Sequence, residues 1–371
     1  MTTSKKQLSL DLRAFLLITS ALIILGFIFI YSASSVYALE RLGSSSYYVK
    51  KQFWGLLLGV LGLIVARALP LPFIKKASPY LFFGSFILTA LTLVPGFSVH
   101  IHGSSRWLNL MGIVFQPSDM LKMAFLIYAA FLIEKKELRL SSHKSGFIPI
   151  LALLGLVCLV LLKQPDFGLT VTLAVTTLSL LFIANMSMRY LLFLAAGLLP
   201  LAIALIFYKP YRLHRILTFL NPWADPQGAG FQIIQSLIAI GSGSAWGLGI
   251  THSQQKFFYL PMQHTDFIFS IIAEETGFFG TFLLISLFVL FLYKGLRIAW
   301  QLPDIFSLFV TLGFVILTSL QAIINIAVAS GLAPTKGIGL PFISYGNTGL
   351  VCSICMVGLI INCVSQAKNS L

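Results

Sequence analysis

Charge is what this 371-residue chain most lacks: Asp, Glu, Lys and Arg make up only 10% of it, against about 25% in soluble domains. With 58% hydrophobic residues, too little polar surface remains for a globule in water. Acids are scarcest, 11 against 25 Lys and Arg, for a formal charge of +14. There is no P-loop, internal repeat or soluble domain. The run Gly241-Ser-Gly-Ser-Ala-Trp-Gly247 has the wrong spacing for a dinucleotide fingerprint and follows no strand, so nucleotide hydrolysis is not expected to drive this protein. The four cysteines, Cys158, Cys352, Cys355 and Cys363, all sit in apolar runs, and the Cys352/Cys355 spacing is what chance gives on a helix rather than a redox or metal motif. His100 and His102 have no third ligand and read as solvated loop residues, not a metal site.

What is there is long apolar blocks. Residues 12–34 carry no charge after Arg13, and about 20 such residues cross the hydrocarbon layer as a helix. The runs are continuous, unlike the alternating segments of an outer-membrane barrel. The first is too long for a cleavable signal core and lacks a clear small-residue cleavage site, so it reads as a retained anchor. Ten spans are expected, near residues 12–34, 52–69, 78–94, 118–133, 147–162, 168–186, 190–208, 268–292, 305–330 and 346–364. The fold class is therefore an all-α polytopic membrane protein, one transmembrane domain over 1–371, with a long extracytoplasmic loop at 209–267 between spans seven and eight. Gly55-x-x-x-Gly59 in the second span either lets helices pack closely or is a chance pairing.

Basic residues in the short loops place both termini in the cytoplasm, with 14 Lys and Arg inside and eleven of the 25 outside. Because the cations flank spans, topology rather than nucleic acid accounts for them. The bias is weak, since Arg106, Lys122, Lys163, Arg212, Arg215, Lys256 and Lys336 fall on the side the rule would empty. Something there needs cations, unless they only snorkel to headgroups.

A carboxylate in or beside a span is a functional candidate by default. Asp11, Glu134 and Asp304 lie near span ends and are expected to be solvated. Asp266 stands where the long loop enters the eighth span, and either it or Thr265 caps that helix, or Asp266 is a general base. Glu274 and Glu275 lie about two turns deeper and are expected to shape the site, one of them paired with a cation. Asp166, in the short Gln164-Pro-Asp166 turn, caps the sixth span or serves a substrate site. Asp119 and Lys122 are three apart and pair or act. Arg106 has no acid near it in sequence and suits a phosphate. Between the last two spans, the prolines and glycines of Pro334-Thr-Lys336-Gly-Ile-Gly-Leu-Pro341-Phe-Ile-Ser344-Tyr-Gly346 preclude a regular helix, so that backbone should line a cavity or be buried in protein.

Three stretches together resemble the SEDS (shape, elongation, division and sporulation) family of peptidoglycan polymerases. They are Tyr259-Leu-Pro-Met-Gln-His264-Thr-Asp266-Phe-Ile-Phe with Ala273-Glu-Glu275-x-Gly277, Asn221-Pro-Trp-x-Asp225-Pro-x-Gly228, and Pro334–Gly346. Gly103-x-x-Arg106-Trp107, Gln116-Pro117, Lys122 and Gln164-Pro-Asp166-x-Gly168 also match, so the resemblance covers nearly the whole chain. Pro-Thr-Lys-Gly, where the RodA branch commonly has Pro-Val-Thr-Gly, favours the FtsW division branch. The chain departs at Asp119, where the family usually has Glu, at Tyr345-Gly-Asn347-Thr-Gly349 and at Ala327.

The resemblance implies an inverting glycosyltransferase that polymerises lipid II on the outer face of the bacterial cytoplasmic membrane, at the division septum. The family's essential Asp maps onto Asp266. Arg106, Lys122, Arg212, Arg215, Lys256, Lys336, Asp166, Gln116, His264, Glu275 and Ser344 are then candidates for substrate binding. A divalent ion, Mg or Mn, on the pyrophosphate is compatible with this, although the sequence shows no dedicated cage. The implied partners are a class B penicillin-binding transpeptidase, other division proteins and membrane lipid. Competing readings are a lipid II flippase, a division scaffold or the elongation polymerase.

Overall fold

The computed structural model describes residues 2–101, 104–110, 112–140, 147–190, 192–194, 196–197, 200, 207, 210–257 and 259–370. Its long helices are α1 (Thr2–Leu42), α2 (Tyr47–Ala68), α3 (Leu71–Leu91), α4 (Pro117–Leu140), α5 (Ile148–Lys163), α6 (Phe167–Ile183), α9 (Ile268–Trp300), α10 (Ile305–Ala329) and α11 (Asn347–Ser370). Nine of the ten expected spans fall on these helices. The seventh, 190–208, lies largely outside the described residues, as does His102. Helices α1, α2, α9, α10 and α11 are each long and apolar enough to cross a membrane.

The segment expected as a long loop carries helices α7 (Pro210–Leu220) and α8 (Phe231–Ser242), with a 3-10 turn, Pro222–Ala224, between them. The stretch before α4 folds as a three-stranded antiparallel sheet, β1 (Ser98–Ile101), β2 (Ser104–Leu110) and β3 (Ile113–Phe115), which the apolar pattern did not announce.

Helix α10 is the core. Phe306, Val310, Leu312, Phe314, Val315 and Leu317 are fully buried on all sides of it, as an apolar helix without a polar face requires. It packs against α4, α6, α9 and α11. Helix α2 instead turns Trp54, Leu58 and Leu61 outward, as a lipid-facing surface would. Its small-residue face meets α11: a Cβ at Gly59 would stand 2.9 Å from Ile354 Cδ1, and one at Gly358 would stand 2.5 Å from Leu63 O. The Gly55/Gly59 spacing is therefore a packing device.

Helix α9 is broken at Gly277, whose φ of 63° is left-handed. A break strands backbone groups that the bilayer core cannot satisfy. The 244–249 segment satisfies them: Leu248 and Gly249 N–H donate to the carbonyls of Glu274 and Glu275, both at 3.0 Å. In return, Phe278 and Phe279 N–H donate to Ser244 O (2.9 Å) and Ala245 O (3.3 Å). A Cβ at Gly277 would lie 2.7 Å from the Ala245 carbonyl, so the clasp closes only around glycine.

The end of the bundle where α1 begins is tied by ion pairs. Lys75 reaches Glu134 (2.6 Å) and Asp304 (3.1 Å), and Asp11 accepts from Lys294 (2.8 Å). Asp11, expected to be solvated, is fully buried, because Lys294, Gln301 and Gln7 supply the hydrogen bonds that water would have made. Glu134 and Asp304 are likewise paired rather than free in solvent.

Candidate active site

Asp266 sits at the opposite end, in the turn that leads into α9. Neither it nor Thr265 caps that helix: the cap is Phe267, with no side-chain cap bond, and Thr265 Oγ1 donates to Met262 O at 3.2 Å. Asp266 is half-buried, and among the described residues no donor bonds its carboxylate. Burial pushes its pKa up to about 6; Asp166 adds to the rise while Arg106 and Arg215 oppose it.

Arg106, on β2, is brought in by the sheet. It has acquired an acid that the sequence did not place near it: Nη1 lies 3.7 Å from Asp166 Oδ2, while Nε and Nη2 donate to Gln164 O (3.2 Å) and Pro165 O (2.5 Å). Asp166 meanwhile caps α6, accepting from Leu169 N at 3.1 Å. Capping and charge pairing thus coexist in one side chain. Gln164 anchors the turn from beneath, fully buried and donating to Thr89 O and Thr92 Oγ1.

The 334–346 segment is irregular, as its prolines and glycines require, and it is stitched to the Asp266 turn. Ser344 Oγ donates to Thr265 O (2.6 Å) and accepts from Leu340 N (2.6 Å), and Tyr345 N donates to His264 O (3.0 Å). Ser344, expected to touch substrate, is a backbone clamp because both sides of its hydroxyl are engaged. A Cβ at Gly337 would lie 3.5 Å from Asp266 Oδ2 and 3.6 Å from Arg106 Nη1, so this backbone runs directly past both charges. Lys336 Nζ stands 4.9 Å from the Phe167 ring, and burial pulls its pKa below the usual lysine value. Arg215, on α7, donates to Thr335 O at 3.2 Å. The His264 ring lies against Tyr48 (4.4 Å), with Tyr37 and Tyr345 each 5.9 Å away.

Other expected site residues go elsewhere. Lys256 is buried and paired with Glu275 at 3.6 Å, its ammonium also donating to Thr251 O. Glu275 takes Ser32 Oγ at 2.5 Å, and Glu274 takes Ser253 Oγ and Gln254 N. These acids hold the 251–256 loop on α9, so Lys256 and Glu275 serve as a buried pair and not as surface groups for an anion. Lys122 is paired with Asp119 at 2.6 Å in the α4–α11 seam, where Gln116 N donates to Thr348 Oγ1 at 3.1 Å. The Arg212 side chain lies outside the described residues. Among the described residues no cluster of three His, Cys, Asp or Glu could hold a metal.

Sequence reasoning missed Asn325. Its amide donates to Asp266 O (2.8 Å) and Ile338 O (2.7 Å) from inside α10. The available signal was a lone amide in an otherwise apolar span.

Together these features define a polytopic helical membrane protein with a half-buried carboxylate, flanked by cations, at one end of its bundle. The chain belongs to the cell cycle protein family of FtsW, RodA and SpoVE, whose family model matches residues 12–369. It is 41% identical to a probable peptidoglycan glycosyltransferase FtsW of Geobacter sp. (strain M18), over 93% of this chain and 94% of that one. It is 37% identical to the stage V sporulation protein E of Bacillus subtilis, over 98% of each. Among solved structures it resembles a chain of a peptidoglycan synthase complex that coordinates polymerization and crosslinking (TM-score 0.78, 28% identity, 95% and 97% covered). The RodA protein of Thermus thermophilus is also similar (TM-score 0.68, 25% identity, 95% and 96% covered).

Proposed function

We propose that this chain is a peptidoglycan glycosyltransferase of the division type, which polymerises lipid II at the outer face of the bacterial cytoplasmic membrane. Both termini face the cytoplasm in this reading, and the Asp266 end faces outward. One observation carries it: a half-buried carboxylate whose pKa is pushed up to about 6 stands beside Arg106, within the field of Arg215, and the backbone that carries Lys336 runs past it. A general base needs a pKa close to the working pH, and a diphosphate leaving group needs fixed cations out of bulk water.

Asp266 takes the proton from the 4-hydroxyl of the acceptor sugar. That oxygen attacks C1 of the donor, the new C–O bond forms, and the C1–phosphate oxygen bond breaks with inversion. The electron pair leaves on the lipid pyrophosphate, whose charge Arg106, Arg215 and Lys336 receive. A Mg or Mn ion would enter with the pyrophosphate as its main ligand. The solved synthase complex, which coordinates polymerization and crosslinking, supports a class B penicillin-binding transpeptidase as partner, and the cell cycle family supports a role in division, which would place the chain at the septum.

The test is polymerisation of purified lipid II by the chain together with its transpeptidase. Wild type is expected to make long glycan strands and Asp266→Ala none, with the folded protein recovered in equal yield. An Asp266→Ala protein that polymerises at the normal rate would falsify the base assignment.

A further inference from the structure

Two consecutive carbonyls in the Asp266 turn are each held by a side chain from another part of the chain. Ser344 binds Thr265 O, and Asn325 binds Asp266 O. Asn325 is 1% exposed, one turn from the end of α10, and its second N–H goes to Ile338 O at 2.7 Å. Both partners are carbonyls, so the amide must present its nitrogen to them; the flipped rotamer would set three oxygens against one another. One amide thus joins the backbone of Asp266 to the segment that carries Lys336 and Gly337, which passes beneath the Asp266 carboxylate and Arg106.

We infer that Asn325 is a positioning residue for glycosyl transfer, its two donated hydrogen bonds setting where the Asp266 carboxylate stands relative to Arg106 and Lys336. This rests on the reading of Asp266 as the base. Asn325 touches neither charge and acts only through backbone. Loss of the amide leaves two buried carbonyls without a donor and lets two loops part. Misplacement of about 1 Å at a reacting group lowers the rate about a hundredfold, whereas substrate affinity, spread over lipid and sugar contacts, is little changed.

The experiment compares lipid II polymerisation by Asn325→Ala, Asn325→Ser, Asp266→Asn and Ser236→Ala in the full chain with its transpeptidase. Ser236 provides the matching structural control. Its hydroxyl bonds Ala329 O at 2.6 Å and pairs with Ser270 Oγ at 2.6 Å, tying α8 to α9 and α10 without touching the Asp266 turn. Asn325→Ala is expected to lower kcat about 10- to 100-fold with KM within about threefold. Asn325→Ser, which keeps one donor, should recover part of that loss. Ser236→Ala should lower the melting temperature and leave kcat unchanged. The inference is overturned if Asn325→Ala keeps wild-type kcat while Asp266→Asn is inactive, if its loss lies in KM, if Ser236→Ala loses kcat equally, or if neither Asn325 variant is recovered folded. An active Asp266→Asn would instead overturn the base assignment and this inference with it.

Discussion

Removing the Arg106 charge should move the acid limb of the pH–rate profile upward. Asp266 Oδ2 and Arg106 Nη1 both lie within 3.6 Å of one point above Gly337, so they are at most about 7 Å apart. At an effective dielectric of about 20, a cation at that distance favours the ionised carboxylate by about 2 kcal/mol. That is equivalent to one to two pH units at about 1.4 kcal/mol per unit. The sign follows from charge: losing a cation disfavours the anion, so the pKa rises. Asp166, stripped of its partner, pushes in the same direction. Wild-type kcat/KM should therefore halve near pH 6 and fall to about a tenth at pH 5. An unperturbed carboxylate near 3.8 would still be almost fully ionised at pH 5.

The assay is initial polymerisation rate at low lipid II, from pH 4.5 to 9, for wild type and Arg106→Gln. Glutamine keeps hydrogen-bonding capacity toward the Gln164 and Pro165 carbonyls. Titration of the substrate is common to both enzymes and cancels in their ratio. The variant's limb should shift to between about pH 7 and 8, so activity lost at pH 7 is partly restored at pH 8.5. A wild-type limb near pH 4, or an Arg106→Gln limb that stays in place or moves down, would refute the account of Asp266.

Three further outcomes follow from the same geometry. Asp266 has a folded-state pKa above its unfolded value, so its contribution to stability is full below about pH 3.8 and is lost as pH rises through about 6; Asp266→Asn should thus melt higher than wild type at pH 7.5 and equally at pH 4, by thermal scanning. Gly277→Ala forces a side chain into the left-handed region and against Ala245, and should cost about 3 kcal/mol or more, read as lost folded yield. Lys256→Met leaves Glu275 buried without its counter-ion and should cost about 3–5 kcal/mol, whereas adding Glu275→Gln should restore most of it, because Gln still bonds Ser32 and Ser253; additive losses in the denaturation midpoints would exclude that pairing.

The spans were legible because a membrane helix advertises itself by length and apolarity alone, without reference to its neighbours. Irregular backbone at 334–346 was legible for a similar reason: proline and glycine act locally. Pairing was not. Arg106 has no acid near it in the chain, and only the β1–β2–β3 sheet carries it to the 164–166 turn. Lys256 and Glu275 are 19 positions apart and meet only because α9 breaks at Gly277 and accepts the loop. Helix α8 was hidden in an expected loop, because its bonding to α9 and α10 through Ser236 joins residues far apart in the chain. Asn325 was invisible because an isolated amide in an apolar helix signals a buried hydrogen bond without naming its partner.

The pairings also sort the cations singled out in the sequence by what they can do for an anionic leaving group. Lys122 and Lys256 are matched to Asp119 and Glu275 and bring no net charge to a ligand. Arg106 is matched to Asp166, but its guanidinium also faces the Gly337 backbone beside Asp266. Lys336 faces an aromatic ring rather than an acid. Base and cations are therefore coupled, since Arg106 and Arg215, two of the cations proposed to receive the diphosphate, also hold down the pKa of Asp266. In the proposed mechanism, a diphosphate that docks and cancels their field makes the carboxylate more basic as the acceptor hydroxyl needs a base. A donor analogue carrying the diphosphate should consequently raise the Asp266 pKa above 6, readable as a carboxyl shift in difference infrared spectra that Asp266→Asn abolishes. A fall in that pKa on binding would mean that the diphosphate does not meet these cations.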